Sequence, residues 1–534
     1  MFLCREIQYM KGKKTGILLV LIYLTGFIGK VIAKTSVLSG TYYVDALKGS
    51  DQYSGTSPEK AWKTFAAINS RVFGPGTKIL LSSGGVWEGQ LKPKGSGTVQ
   101  HAIQIDRYGK GNLPLINGMG IEHEGVVYLY NQSYWEINHL EIINDAASPG
   151  DRRGVEINGA NYGTINHIYL KKLIIHNIKG RRGHNAEEKK TAGIYITVSD
   201  DSITPTRYHD ILIEGCLLYS IENEGIVTNN EVSQSDYPGT PEWQKRRITQ
   251  LIIRNNIIHH ISKNAMIIRL CDGGLVERNV CYETALGLTG NTIYSRSCKG
   301  TVFQYNEGYA NRSPDYDGSL YDADISSPGT IWQYSYSHDN AHGLMWFCTD
   351  KRDTGIIVRY NISQNDHGKL LYFNYPFQSA DVYNNVFYTD SNLSPVLIAE
   401  NSKNDHSYRC YNNIFYNKSA TADYSFAEAP GKGIQSRDVS HNLFYGHHSK
   451  GEPVDTFKVI NNPKFLNPGK GQIGLSSLKG YQLKQGSPAV RKGKSISQKQ
   501  VNDFFGNPVL RGKLPNIGCD NGQGKELSKM QTRR

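Results

Sequence analysis

The sequence lacks any sustained 3.6-residue recurrence of apolar residues, which excludes helical bundles and coiled coils as its main architecture. It lacks a second long apolar run after the N-terminal one, so no integral membrane segment is expected in the mature chain. It lacks a Lys/Arg block of the nucleic-acid-binding kind, so its formal net charge of +12 is read as pointing to an acidic polysaccharide and not to nucleic acid. Close cysteine pairs are also missing. Of eight cysteines, seven (Cys216, Cys271, Cys281, Cys298, Cys348, Cys410, Cys519) follow the N-terminal segment, an odd number with no zinc-site spacing, and buried free thiols are expected. What the chain has in abundance is Gly (55) and Tyr (34), with only 38% hydrophobic residues, a turn-rich β composition.

The N-terminus carries the order of an export signal. Lys11, Lys13 and Lys14 precede an apolar run from Gly16 to Ile28, and Val31-Ile32-Ala33 supplies a small-residue cleavage site. Residues 1–33 therefore read as a signal peptide, with Met10 a candidate start. Cys4 lies before the apolar run, where it cannot serve as a lipid anchor. A periplasmic, cell-surface or secreted bacterial protein, monomeric, is expected.

Between Gly125 and Gly446 the chain repeats every 23 to 29 residues or so, the range of solenoid coils. One marker is an Asn in register: Asn256, Asn279, Asn306, Asn361, Asn385, Asn413 and Asn442, with Ser335 filling the missing step. A buried Asn at a corner can bond the backbone and its equivalents above and below. A second marker is a set of five-residue strands. These are Gly154–Asn158, Gly193–Thr197, Gly225–Asn229, Ala265–Arg269, Thr292–Arg296, Leu320–Asp324, Leu344–Cys348, Leu370–Asn374 and Val396–Glu400. In each the second residue is apolar and the fourth apolar or small, so the second and fourth face inward and the third and fifth outward. The expected fold is all-β, a right-handed parallel β-helix. Residues 34–124 would form the cap and first coils, 125–446 the solenoid, and 447–534 a closing segment and tail.

The flanks resemble those of bacterial pectate-lyase-like β-helix proteins. Tyr42-Tyr-Val-Asp-Ala, Gly49-Ser-Asp, Gly55-Thr-Ser-Pro and Ala61-Trp-Lys-Thr-Phe are similar to their entry segment. Asp503-Phe-Phe-Gly-Asn-Pro and Pro515-Asn-Ile-Gly are similar to their closing one. The resemblance implies a cap helix over about residues 61–69 and activity on a carbohydrate polymer. The Asn-Thr-Asp and Gly-His-Gly motifs of polygalacturonases are missing.

The strand register places two outward rows along the helix axis. One runs Glu156, Tyr195, Val227, Ile267, Tyr294, Asp322, Trp346, Tyr372, Ile398; the other runs Asn158, Thr197, Asn229, Arg269, Arg296, Asp324, Cys348, Asn374, Glu400. Their centre combines two arginines, two aspartates and three aromatic rings, a composition suited to sugars. The turns before two of these strands add His342 and His367. Arg269, Arg296, Asp322, Asp324 and His342 are the catalytic candidates. Tyr294, Trp346, Tyr372, Asn374, Glu400, Asn229 and His367 are the substrate-binding candidates.

Three functions compete. A polysaccharide lyase on a uronic-acid polymer, a pectin or a glycosaminoglycan, would use Arg269 and Arg296 to neutralise the sugar carboxylate and His342 or Tyr294 to move protons. Asp322 and Asp324 would then hold a calcium ion or orient those groups. A glycoside hydrolase would use Asp322 and Asp324 as its carboxylate pair. A non-catalytic glycan-binding β-helix would keep only the aromatics. The lyase is the leading expectation. The loop Arg181–Lys190 and the insertion Ser233–Arg247 are expected to overhang one end of the groove.

Overall fold

The computed structural model describes residues 37–232, 236–426, 434–496 and 501–524. The expected signal peptide and the tail beyond residue 524 lie outside the described residues, as do residues 233–235 of the insertion.

The chain winds into a parallel β-helix. Three long sheets of 15, 13 and 11 strands run its length, and each strand pairs in parallel with its equivalent in the coils above and below. A short helix, Phe65–Asn69, sits at the entry with Phe65, Ala67 and Ile68 buried, and the Thr64 hydroxyl caps its first turn by accepting from the Ala66 amide. Within the solenoid the expected inward positions stack into one core: Val155, Ile194, Ile226, Met266, Ile293, Tyr321, Met345 and Leu371 are all fully buried. Aromatic columns extend that core, with Phe303 on Trp332 at 3.8 Å and Phe373 on Tyr408 at 3.8 Å between ring centroids. The seven described cysteines are unpaired, and six of them are buried.

The Asn positions form a continuous ladder. The Asn256 amide N–H donates to Asn279 Oδ1, Asn279 to Asn306, Asn306 to Ser335 Oγ, Ser335 to Asn361, Asn361 to Asn385, Asn385 to Asn413 and Asn413 to Asn442, over 2.9–3.2 Å. The residue before each rung is left-handed, from φ +52° at Tyr360 to +58° at Asn412. That kink turns the chain from the first sheet into the second and carries a cost of about 1–2 kcal/mol at a non-glycine residue. The buried side-chain amides offset it by satisfying backbone groups that the turn leaves without sheet partners.

The closing segment folds back over the outer face of the second sheet. Phe465, Leu478 and Tyr481 pack there on Tyr336, Ile362, Val386, Ile414 and Leu443, the residues that directly follow the ladder positions. No helix among the described residues is long and apolar enough to cross a membrane.

Candidate active site

The eleven-stranded sheet carries both outward rows, and eight of the nine expected strands pair in the expected register. Tyr294 lies beside Asp322, Asp322 beside Trp346, Trp346 beside Tyr372, Arg269 beside Arg296 and Asp324 beside Cys348. The ninth differs. Val396–Glu400 pairs one residue out of the expected step, setting Leu371 against Ile398 and Phe373 against Glu400. Glu400 therefore leaves the substrate-binding set. Its side chain is buried, accepts from the Tyr408 hydroxyl and pairs with Arg437.

The groove is closed at its N-terminal end. Tyr195, Val227, Ile267 and Tyr294 point away from the solenoid core yet form a second buried apolar cluster. The cover is the loop Arg181–Lys190. Lys189 Nζ donates to the Tyr294 hydroxyl at 3.3 Å, and Lys263 Nζ donates to the Gly183 carbonyl at 3.0 Å. The Asn223 side chain holds the Glu188 carbonyl at 2.9 Å, and Lys190 pairs with Glu231 at 2.8 Å. The insertion packs alongside, with Trp243 Nε1 donating to the Ser297 carbonyl at 2.8 Å.

Arg269 is buried under this cover, donating to Asn229 Oδ1 at 2.8 Å and to the Tyr294 hydroxyl at 3.2 Å. Arg296 lies 3.5 Å from Asp324 Oδ2. Both guanidinium groups are thus engaged within the protein, and the neutralising site assumed for a uronate carboxylate is not laid out in the groove. His342 is also engaged at both ring nitrogens: Nε2 meets the Asp315 carbonyl at 3.1 Å, and Nδ1 accepts from the Lys369 amide at 3.1 Å. Burial holds it below the usual histidine range, so it is a neutral brace. His367 stands exposed in the next turn. Trp346 is buried edge-on between His342 and Tyr372, and Lys369 Nζ covers one face of Tyr372 at 3.6 Å. Asn374 contacts Cys348 Sγ at 3.8 Å and accepts from Asn401 at 2.9 Å.

Carboxyl groups dominate the centre, and one of them was not foreseen. Asp317 lies in the loop preceding Tyr321–Asp324, outside the two outward strand rows. Asn291 ties it to the sheet. Its Nδ2 donates to Asp322 Oδ2 at 2.9 Å and to Asp317 Oδ1 at 3.3 Å, while its Oδ1 accepts from the Gly318 and Ser319 amides, both at 2.9 Å. The readable signal was the acidic, aromatic stretch Asp315-Tyr316-Asp317 just ahead of a strand with two more aspartates.

The three carboxyls differ in environment. Burial, and then the Asp324 and Asp317 charges, push Asp322 well above the usual carboxylate range, so it is a neutral, enclosed group. Burial lifts Asp317 to about 6, with Asp324 adding to the rise and Lys263 and Lys189 opposing it. Asp324 is partly open, accepts from the Ile325 amide at 2.8 Å and faces Arg296. Among the described residues no group of three or more His, Cys, Asp or Glu side chains is arranged to hold a metal ion. Asp322 and Asp324, the pair expected to hold a calcium ion, are an enclosed carboxyl and one that faces the Arg296 guanidinium.

No protein-family model matches the chain. It is 26% identical to a lacto-N-biosidase of Bifidobacterium longum subsp. longum over 92% of its own length, and it spans about 37% of the length of that relative. Among solved structures it is similar to the GH136 lacto-N-biosidase of Eubacterium ramulus. The selenomethionine form gives a TM-score of 0.62 at 23% identity over 76% of this chain and 68% of that one. The native form gives 0.59 at 24% over 75% and 68%. These structural likenesses establish the β-helix fold. The lyase expectation is overturned: the sequence relative is named as a glycosidase, and the arginines that argued for elimination are already engaged.

Proposed function

We propose that the protein is a glycoside hydrolase that works from the end of an oligosaccharide, with Asp317 and Asp324 as its reacting pair. The observation that carries this reading is the contrast between two partly open carboxyls in one groove. Burial lifts Asp317 to about 6, whereas Asp324 stands 3.5 Å from the Arg296 guanidinium. A carboxyl that holds its proton, set beside a second carboxyl in a different environment, is what glycosidic cleavage needs. Asp317 donates its proton to the glycosidic oxygen as the bond breaks, and Asp324 acts on the anomeric carbon, either directly or through a water. Asp322, neutral and shut in, keeps Asn291 in place between the two walls.

The closed end supports action at a chain terminus, because a polymer cannot pass the cover over Tyr195 and Tyr294. The name of the sequence relative supplies the substrate class to try first, a chain ending in lacto-N-biose. The proposed roles predict different losses. Asp324→Asn should lower kcat by at least about a thousandfold on every substrate. Asp317→Asn should be as severe on a natural oligosaccharide but much milder on a 2,4-dinitrophenyl glycoside, whose leaving group needs no proton. Normal turnover in either variant, or failure of the wild-type enzyme to release any sugar from glycosides of this class, would overturn the proposal.

A further inference from the structure

On the open side of the carboxyls, two tyrosines are exposed where most aromatic side chains of the solenoid are packed. Tyr316 is 55% exposed and Tyr375 47%. They come from opposite walls. Tyr316 lies in the turn before a sheet strand, directly preceding Asp317, whereas Tyr375 lies in the turn after the strand Lys369–Phe373. Those two strands are separated by one intervening strand, Met345–Cys348, so the tyrosines stand two rungs apart, about 10 Å along the axis. That is comparable to the length of a disaccharide.

The two side chains share a neighbourhood. The Tyr316 hydroxyl is raised by burial of its oxygen and then by Asp317, Asp315, Cys348 and Tyr375, and Tyr372 is raised by burial and then by the same Cys348 and Tyr375. Tyr375 is held firmly: its amide donates to the Phe347 carbonyl at 3.0 Å, and its own carbonyl accepts from the Thr349 hydroxyl at 3.2 Å. The anchored backbone keeps this ring in place with an apolar face and a polar tip open to solvent. Trp346 and Tyr372 cannot provide the same surface, one being buried and the other capped by Lys369.

We propose that Tyr316 and Tyr375 form a two-sided clamp for the pyranose residues of the leaving chain, just beyond the bond that is cut. This rests on the glycosidase reading above. The covered end is filled by Tyr195, Val227, Ile267 and Tyr294, so a chain reaches Asp317 and Asp324 from the side on which these two rings stand. The apolar faces of pyranoses pack on the rings, and the phenol groups donate to sugar hydroxyls.

The test compares two substrates with the same released unit, one joined to an oligosaccharide and the other a glycosyl fluoride with no sugar beyond the bond. In Tyr316→Ala, Tyr375→Ala and the double variant, kcat/KM on the oligosaccharide should fall at least about tenfold further than on the fluoride, mainly through KM. Tyr→Phe at each position should recover most of the loss. Equal losses on the two substrates, or no loss on either, would overturn the clamp. A second measurement does not depend on catalysis: binding of lactose, maltose and N,N′-diacetylchitobiose to wild-type protein, followed by saturation-transfer NMR. The clamp predicts that at least one binds and that the double Ala variant loses it, whereas binding by none, or binding that survives in the variant, overturns it. Failure of the hydrolase reading alone would show differently, as sugar binding lost in the variant without turnover in the wild type.

Discussion

Asp317 holds a carboxyl that the fold keeps out of its preferred state at neutral pH, and this has a consequence for stability. Its pKa is raised to about 6 from the ordinary value of 3.8, so between those values the folded protein binds a proton that the unfolded chain has lost. Stability is therefore highest while the group stays protonated and falls as pH rises toward 6, leaving a penalty above it. A rise from 3.8 to about 6 corresponds to about 3 kcal/mol at full burial, and partial exposure lowers this to about 2 kcal/mol or less. Asp317→Asn should therefore melt a few degrees above wild type at pH 7.5 while being nearly inactive, and the gap should close by pH 4. Calorimetry at the two pH values checks this. A variant less stable than wild type at pH 7.5 would mean that the Asn291 contact, and not the buried charge, dominates at this position.

At the scale of elements, the ladder and the strands were legible because the physics of a coil repeats itself. Each corner needs a side-chain amide, and Asn256 through Asn442 announce that need in the sequence. Strand register was readable wherever polar and apolar residues alternate, as in Tyr321-Asp-Ala-Asp, and failed at Val396-Leu-Ile-Ala, where every position is apolar and alternation cannot choose a face. The closing segment shows a further element-scale dependence. His338, buried in the second sheet, lies 3.3 Å from Glu307 and 2.8 Å from Asp339, and Glu307 in turn accepts from the Gly474 amide of the closing segment at 2.8 Å. Burial opposes the imidazolium, but the two carboxylates outweigh it and raise His338 to about 9. A raised histidine contributes stability that is complete below its unfolded value near 6.5 and is lost as pH climbs through 9. The protein should therefore lose on the order of 2–3 kcal/mol between pH 6.5 and 9.5. His338→Gln should start less stable and show a flatter profile over the same range, measured by urea denaturation. A slope unchanged by the substitution would sink this assignment.

At the scale of the whole molecule, a solenoid offers a groove open at both ends, and what covers the outward row from Tyr195 to Tyr294 here is an excursion from the repeat. The sequence showed the excursion, because Arg181–Lys190 interrupts the coil spacing, but its basic residues counted toward the net charge that points to an acidic polysaccharide. In the structure Arg181 and Arg182 stand exposed, Arg182 meeting Glu222 at 3.0 Å, while Lys190 pairs with Glu231 at 2.8 Å and Lys189 reaches across the groove to Tyr294. Net charge could not reveal this, since it does not say which residues a lysine faces. Asp317 escaped for a related reason: strand periodicity fixes the groove floor and is silent about side chains that loops lower into it. If the cover is what restricts cleavage to chain ends, removing it should change where the enzyme cuts. Replacing residues 184–190 with a short Gly-Ser-Gly turn leaves the stacked strands and Asp317, Asp322 and Asp324 untouched, and it exposes the outward row at Tyr195, Val227, Ile267 and Tyr294. Early in digestion of a long substrate, the wild-type enzyme should release one short product at a time, whereas the shortened variant should also yield fragments from internal cuts, with an unchanged far-ultraviolet circular dichroism spectrum. An active, folded variant that still gives only the single short product would show that the chain end is recognised by the sheet floor itself and not by the loop above it.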